Sequence, residues 1–333
     1  MIRSLVLVAG TVLVLATGCS RESPAPPPQP DLSAVPSSQA THPGPFAAGP
    51  VYVPPTGALF GSWVKPRAIT QPGRIEAVST WEATLGRQLD IVHTYKRLDE
   101  PFFTDSDVTF GARSTLMLSW AGGDSRSVVS GRHDALIRER ARQVRNYGKP
   151  LLLRYRWEMD RPNLQATMWS PEDYVAMWKH VRSLFAAEGV RNAAWVWCPT
   201  IEGFERGNAP SFYPGDDQVD WVCVDVYSGA RFVPLGDHLR PFFRFAAARP
   251  SKPVMIGEFG VARQYPSSQR AAWIRNGAAV FKANPQVKAV LYFESDPEDR
   301  KADGMFSITD DAPALAAFRE MAADPYFNVA PRP

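Results

Sequence analysis

From about Gly57 onward, short apolar runs alternate with longer amphipathic segments. The runs cover 58–64, 89–95, 114–121, 150–157, 193–198, 220–227, 253–259 and 287–293, and are rich in Val, Leu, Ile and aromatic residues. Runs that are apolar almost throughout predict strands buried on both faces, as in a parallel sheet. Helical patterns fall between most of them. Residues 132–147 carry Leu136, Ile137 and Val144 among Arg and Glu and stop at Gly148. Ser170-Pro171-Glu172-Asp173 is a helix start, with Ser as N-cap, Pro in the first turn and acids at the positive end of the dipole. That helix is predicted to run to Gly189, with others over 235–248, 267–283 and 312–323. The links after the second and fifth strands look irregular and predict short helices. Eight strands, each followed by a helix or loop in about 280 residues, predict a closed (β/α)8 TIM barrel with a single catalytic domain. An open doubly wound sheet is the alternative, but no Gly-rich phosphate loop follows the first strand.

The first residues have a different pattern. Arg3 precedes an apolar run from Leu5 to Ala16, followed by Thr17-Gly18-Cys19. A positive start, a short apolar stretch and small residues before a Cys form an export signal that resembles a bacterial lipobox. Cys19 is the expected lipidation site, although Ala16 stands where Leu is commonest in that pattern. The next stretch, to about Pro55, is loaded with Pro, Ser, Ala and Gly, including Pro24-Ala25-Pro26-Pro27-Pro28. It cannot bury enough surface to offset its ordering entropy, so it reads as an extended disordered tether. The expected organisation is a signal over 1–18, a lipidated tether over 19–55 and a barrel domain over 56–333. The protein is then exported and lipid-anchored to a bacterial cell envelope, and the membrane is its first partner.

Composition adds exclusions. A net charge of +3, spread without runs of one sign, leaves no nucleic-acid footprint. No His, Asp and Glu cluster has metal-ligand spacing, and neither metal nor cofactor is expected. A monomer is expected. Cys198 and Cys223 fall on neighbouring predicted strands; two cysteines make no disulfide framework, and buried free thiols are the expected state.

The candidate chemistry lies at the strand ends, where barrels of this kind carry their active sites. Trp63 closes the first strand, His93 and Tyr95 the second and Trp120 the third. The fourth ends in Arg154-Tyr155-Arg156-Trp157-Glu158. The fifth supplies Trp195 and Trp197, the sixth Asp225 and Tyr227, the seventh Glu258, and the eighth Phe293 and Glu294. Strands four and seven lie on opposite sides of an eight-strand ring, so Glu158 and Glu258 can converge across its mouth. Two such carboxylates can work as a glycosidase pair, and rings beside them can stack on sugars. The plainer readings are solvated loop residues for the glutamates, core packing for Trp195 and Trp197, and ion pairing with inward acids for Arg154 and Arg156.

At these residues the chain resembles glycoside hydrolase family 26, the β-mannanase and lichenase family with a two-glutamate retaining barrel. The resemblance rests on the segment from Arg154 to Met159, on Trp195-Val196-Trp197-Cys198-Pro199 and on Tyr213-Pro214-Gly215-Asp216-Asp217. It continues through the segment from Val219 to Tyr227 and Ile256-Gly257-Glu258-Phe259-Gly260. It implies Glu158 as acid/base, Glu258 as nucleophile and a hydrogen bond from Tyr227 to Glu258. The partner it implies is a β-linked polysaccharide, with endo-β-1,4-mannan first and mixed-linkage β-glucan second. Trp63, His93, Trp120, Arg156, Trp197, Asp225, Tyr227 and Glu294 are the expected sugar contacts. One departure bears on the substrate: the family's mannanases usually show His-Glu-Met-Asn where this chain has Trp157-Glu158-Met159-Asp160. A glycan-binding lipoprotein without turnover, or a transglycosylase using the same residues, is compatible with the sequence as well.

Overall fold

A computed structural model describes residues 49–298 and 301–329. The signal over 1–18, Cys19 and the tether up to residue 48 lie outside the described residues. Eight parallel strands close a barrel in sequence order. They are β1 (Leu59–Val64), β2 (Ile91–Lys96), β3 (Thr115–Trp120), β4 (Leu151–Tyr155), β5 (Ala193–Trp197), β6 (Trp221–Ser228), β7 (Val254–Val261) and β8 (Val287–Glu294). The ring closes by pairing of β1 with β8, in register from Leu59 opposite Ala289 to Val64 opposite Glu294. Around it lie α1 (Gln71–Leu85), α2 (Asp105–Gly111), α3 (Ser125–Val129), α4 (Asp134–Tyr147), α5 (Gln165–Met168), α6 (Pro171–Ala187), α7 (Ile201–Arg206), α8 (Leu235–Ala247), α9 (Ser267–Ala283) and α10 (Ala312–Ala323). The predicted (β/α)8 barrel is the observed fold, and α2 and α7 are short, as the irregular links predicted.

The N-cap at Ser170 behaves as expected, its side chain accepting from the backbone N–H of Asp173. Helix α1 was not among the sequence predictions. Its inward stripe of Val78, Trp81 and Leu85 includes Glu82, a buried carboxylate. That carboxylate pairs with Arg113 at 2.5 Å and accepts from the backbone N–H of Leu89 at 2.9 Å. A charged residue on the inward face hides the apolar stripe, and the caps carry the signal instead: Thr70 bonds Gly73, and Gly86 ends the helix at φ +73°.

Side chains alternate along each strand, so two cores form. The outer core packs strands against helices and holds Trp120, Tyr155, Trp178, Trp195 and Trp197. The inner core fills the lower barrel with Leu59, Ile91, Met117, Leu152, Ala194, Met255 and Leu291. Val51 belongs to this inner core and is buried. The expected tether therefore ends earlier than residue 55, because the segment around Val51 packs against the barrel.

Cys198 and Cys223 are joined in a disulfide, in place of the expected free thiols. Their strands are neighbours and both side chains point inward from the same layer, with Cα atoms 4.3 Å apart. Parity along two adjacent strands, more than the number of cysteines, decides the pairing.

Lys96 ends β2 on the outward side and is buried against Asp107 of α2 at 2.6 Å, each side chain about 1% exposed. Asp107 also caps α2 by accepting from the backbone of Thr104. Removing one partner strands a buried charge, so Lys96→Met should lower unfolding free energy by about 3–5 kcal/mol. Urea denaturation checks this, and a loss below about 1 kcal/mol would show that Asp107 finds another partner or water.

Candidate active site

The inward positions one layer above the apolar core are polar: His93 on β2, Ser119 on β3, Arg154 on β4, Asp225 on β6 and Glu258 on β7. All five are buried. Arg154 organises them. Its Nη1 donates to both oxygens of Asp225, at 2.8 and 2.7 Å, and its Nε donates to Ser119 Oγ at 2.6 Å. Its Nη2 donates to Glu258 Oε1. His93 Nε2 lies 2.6 Å from Ser119 Oγ and 3.3 Å from Arg154 Nη2. Burial and the Arg154 charge push the His93 pKa well below its ordinary value, so the ring is neutral.

Glu258 reaches the mouth through a backbone irregularity. Val224 pairs with Ile256, but Asp225 pairs with Glu258, so Gly257 is an extra residue in β7. The bulge moves the inward position from 257 to 258. A Cβ on Gly257 would lie 2.5 Å from Cys223 Sγ, 2.9 Å from Cys198 Sγ and 2.8 Å from Asp225 Oδ1. The disulfide is thus a floor on which the bulge rests, and only glycine fits between it and the carboxylate layer. Besides Arg154, Glu258 accepts from Tyr95 Oη at 2.5 Å and from Tyr227 Oη. Burial and Glu258 raise both tyrosine pKa values well above the usual range, keeping them protonated donors.

Glu158 is delivered differently. The backbone leaves β4 with Arg156 at φ +46° and Glu158 at φ +53°, left-handed conformations that cost of order 1–3 kcal/mol each in non-glycine residues. Hydrogen bonds from Arg156 N to Trp120 O at 2.9 Å and from Glu158 N to Cys198 O at 2.8 Å hold the turn. Glu158 is 7% exposed and accepts from Arg161 Nη2. Burial raises its pKa from the ordinary carboxyl value to about 7; Arg161 and Arg154 oppose the rise and Glu258 adds to it.

Aromatic rings wall the mouth. Trp63 meets Tyr95 edge-on with centroids 4.9 Å apart, and Trp157 lies 5.1 Å from Tyr95. Tyr227 packs on Phe306 at 4.4 Å and Phe293 at 5.7 Å. Trp63, Trp157 and Phe293 are each partly exposed.

The structure brings Glu158, Glu258, Trp63, His93, Asp225 and Tyr227 together. His93 and Asp225 lie buried in the layer beneath the mouth. Trp120 and Trp197, expected in subsites, face the outer core, where their indole N–H groups donate to Leu98 O and Phe212 O. Both follow inward neighbours, Ser119 and Val196, so alternation turns them outward. Glu294 also faces out, and it pins the loop after β8 by accepting from Ser307 Oγ, the backbone of Ile308 and Thr309 Oγ1. Arg156 donates to Thr167 Oγ1 at 2.6 Å and ties the loop after β4, with no bond to either glutamate. Arg161 and Trp157 were missing from the expected site residues, and Arg154 and Tyr95 figured only as strand-end residues. Parity marks Tyr95 and Arg154 as inward; nothing in the local pattern marks Arg161. Cys198, Cys223 and Asp225 group within 4.8 Å, but the sulfurs are bonded to each other and Asp225 to Arg154, so they offer no free donor set for a metal.

A family model described as glycosyl hydrolase family 26 matches residues 108–240. Endoglucanase H of Acetivibrio thermocellus is 28% identical over 290 residues, 80% of this chain and 30% of that protein. A β-1,3-xylanase, TXYA, of a Vibrio species is 29% identical over 112 residues, 32% of this chain and 23% of its own length. The chain spans less than a third of the length of these curated relatives. Among solved structures, a Cellulomonas fimi endo-β-1,4-mannanase double mutant superposes with a TM-score of 0.61 at 18% identity, covering 81% of this chain and 71% of that one. The family 26 β-mannanase of Bacteroides ovatus superposes at 0.60 with 17% identity, covering 81% and 90%. The resemblance to family 26 therefore holds in sequence across the central strands and in fold around the barrel.

Glu158 should take up its proton near neutral pH. In a carboxyl-carbon NMR titration, the resonance missing from the Glu158→Gln spectrum should shift with a midpoint near 7. A midpoint at the ordinary carboxyl value, near 4.3, would mean that water reaches the group freely.

Proposed function

Taking the match to glycosyl hydrolase family 26 as premise, we propose that this protein hydrolyses a β-linked polysaccharide with retention, using Glu258 as nucleophile and Glu158 as acid/base. The observation that carries the reading is the unequal setting of the two carboxyls. Glu258 faces three donors, Arg154, Tyr95 and Tyr227, the partners an ionised nucleophile takes. Glu158 is buried with a pKa near 7, suited to giving a proton and later receiving one.

In the first half-reaction a Glu258 oxygen attacks the anomeric carbon and the bond to the leaving oxygen breaks. The leaving oxygen takes the electron pair and the Glu158 proton. Water then attacks the same carbon, gives its proton to Glu158, and the ester to Glu258 breaks to restore both carboxyls. Arg154 and the two tyrosines keep Glu258 aimed, and the rings of Trp63, Trp157 and Phe293 offer faces for sugars.

The substrate is a β-glycan, with β-1,4-mannan the first candidate. Trp157 supports mixed-linkage β-glucan as a second reading, because it fills the place of the histidine usual in the family's mannanases and changes the wall where the cleaved sugar sits. The enzyme works outside the cytoplasm, held to the envelope through lipid on Cys19, with residues from Ser20 onward as its tether. The export pattern at the start of the sequence supports this placement.

Product release from mannan, glucomannan, mixed-linkage glucan and xylan tests the reading. Glu158→Ala and Glu258→Ala should each lower turnover about 10²–10⁴-fold in protein that still folds, as circular dichroism checks. Activity retained in Glu258→Ala would sink the nucleophile assignment. Tight binding to one glycan with no products in the wild type would make the protein a binder.

A further inference from the structure

The two glutamates differ in what balances their charge. Glu258 shares Arg154 with Asp225, and that guanidinium is fully buried. Glu158 has Arg161, three residues along the same loop and 37% exposed. The loop turn fixes Arg161, since its backbone N–H donates to Glu158 O at 3.0 Å. The Arg161 charge also acts on Glu258 and Tyr227, so it overlooks the mouth between the carboxyls. The charged and titratable groups that act on Glu158 are Arg161 from its own loop, Arg154 from β4, Asp225 and Tyr227 from β6, and Glu258 from β7.

These groups balance in two different ways. Burial works to raise the Asp225 pKa, but both its oxygens accept from Arg154 Nη1, the pairing an ionised carboxyl takes. In the free protein, with Asp225 and Glu258 both ionised, Arg154 and Arg161 offset them, and the site is neutral when Glu158 carries its proton. Once Glu258 is esterified its charge is gone, and the site is neutral when Glu158 is ionised. The first half-reaction needs the former state and the second needs the latter.

We propose that Arg161 is a positioning residue that holds Glu158 as the ionised base of the second half-reaction, so that hydrolysis of the glycosyl-enzyme depends on it while bond cleavage is opposed by it. This rests on the two-glutamate reading above. Its signature is a substitution that moves the two half-reactions in opposite directions, which a merely structural role would not do.

The test has one arm that needs no turnover. Glu158 is titrated by carboxyl-carbon NMR in the wild type, Arg161→Gln, Glu258→Gln and the double variant, with Glu258→Gln standing in for the uncharged ester. Glu258→Gln should lower the Glu158 midpoint. Arg161→Gln should raise it in both backgrounds by about one pH unit, the low end for a close opposite charge because Arg161 is partly exposed. An unchanged midpoint in Arg161→Gln overturns the proposal.

The second arm uses whichever glycan the product panel shows to be cleaved. Arg161→Gln should move the alkaline limb of kcat/KM upward, lower kcat about tenfold on the acid side, and let glycosyl-enzyme accumulate as added mass on the acid-quenched protein. Arg161→Lys should restore most of kcat. Equal slowing of both half-reactions would also overturn the proposal. Cleavage of no glycan would remove the hydrolase reading and this role with it, while the titration alone would still show whether Arg161 sets the charge on Glu158.

Discussion

The upper half of the barrel depends on one buried guanidinium. Arg154 is inaccessible to solvent and spends its donors on Ser119, Asp225 and Glu258, with the His93 ring nitrogen also in reach. Burial works against its charge, but Asp225 and Glu258 more than offset that and hold it protonated. A cluster of this kind is a poor way to gain stability, since well-packed apolar side chains commonly do as well or better. Its value here is directional. A planar fork with fixed donors sets the orientation of Glu258 to within a hydrogen bond, and Tyr95 and Tyr227 fix what remains of its freedom.

The backbone prepares for this cluster in two ways. On β7 the bulge at Gly257 changes which residue faces inward, and the disulfide between Cys198 and Cys223 leaves no room for a side chain there. On β4 the strand stops and two left-handed residues turn Glu158 into the mouth. One carboxyl therefore rides on a strand and the other on a strained turn. Under the roles proposed for them, the strand position suits a nucleophile that must stay aimed at one atom, and the turn suits an acid/base whose partner, Arg161, lies on the same short piece of chain.

Most of the architecture was legible in the sequence because barrel strands are apolar on both faces and stand out as runs. The strand order, the short links after β2 and β5 and the cap at Ser170 all followed from pattern. The site was legible at the level of strand ends, which located Glu158, Glu258 and Tyr227. What failed was parity. Reading every polar or aromatic strand end as facing the mouth placed Trp120, Trp197 and Glu294 there, although Ser119, Val196 and Phe293 occupy the inward positions beside them. The same alternation, followed from the paired strands upward, brings Cys198 and Cys223 together and marks Arg154 as inward. The bulge at Gly257 could not be found this way, because strict alternation would send Glu258 outward. Arg161 was illegible for a different reason: a loop residue has no period, and only the turn after β4 sets where its side chain lies.

The polar layer and the apolar layer beneath it solve one problem together. A carboxyl whose pKa is raised by burial needs water kept away from it, while its partner needs hydrogen-bond donors in the same dry space. The inner core of Ile91, Met117, Leu152 and Met255 closes the site from below. The rings of Trp63, Tyr95 and Trp157 on one side, and of Tyr227, Phe293 and Phe306 on the other, shield it laterally. Donors then reach Glu258 from three strands, and a single half-exposed cation reaches Glu158. Two identical functional groups thus sit in different surroundings, without any difference in their own chemistry. Trp157 extends the apolar wall beside Tyr95 and Arg154, which helps keep the dry setting that a raised carboxyl pKa requires.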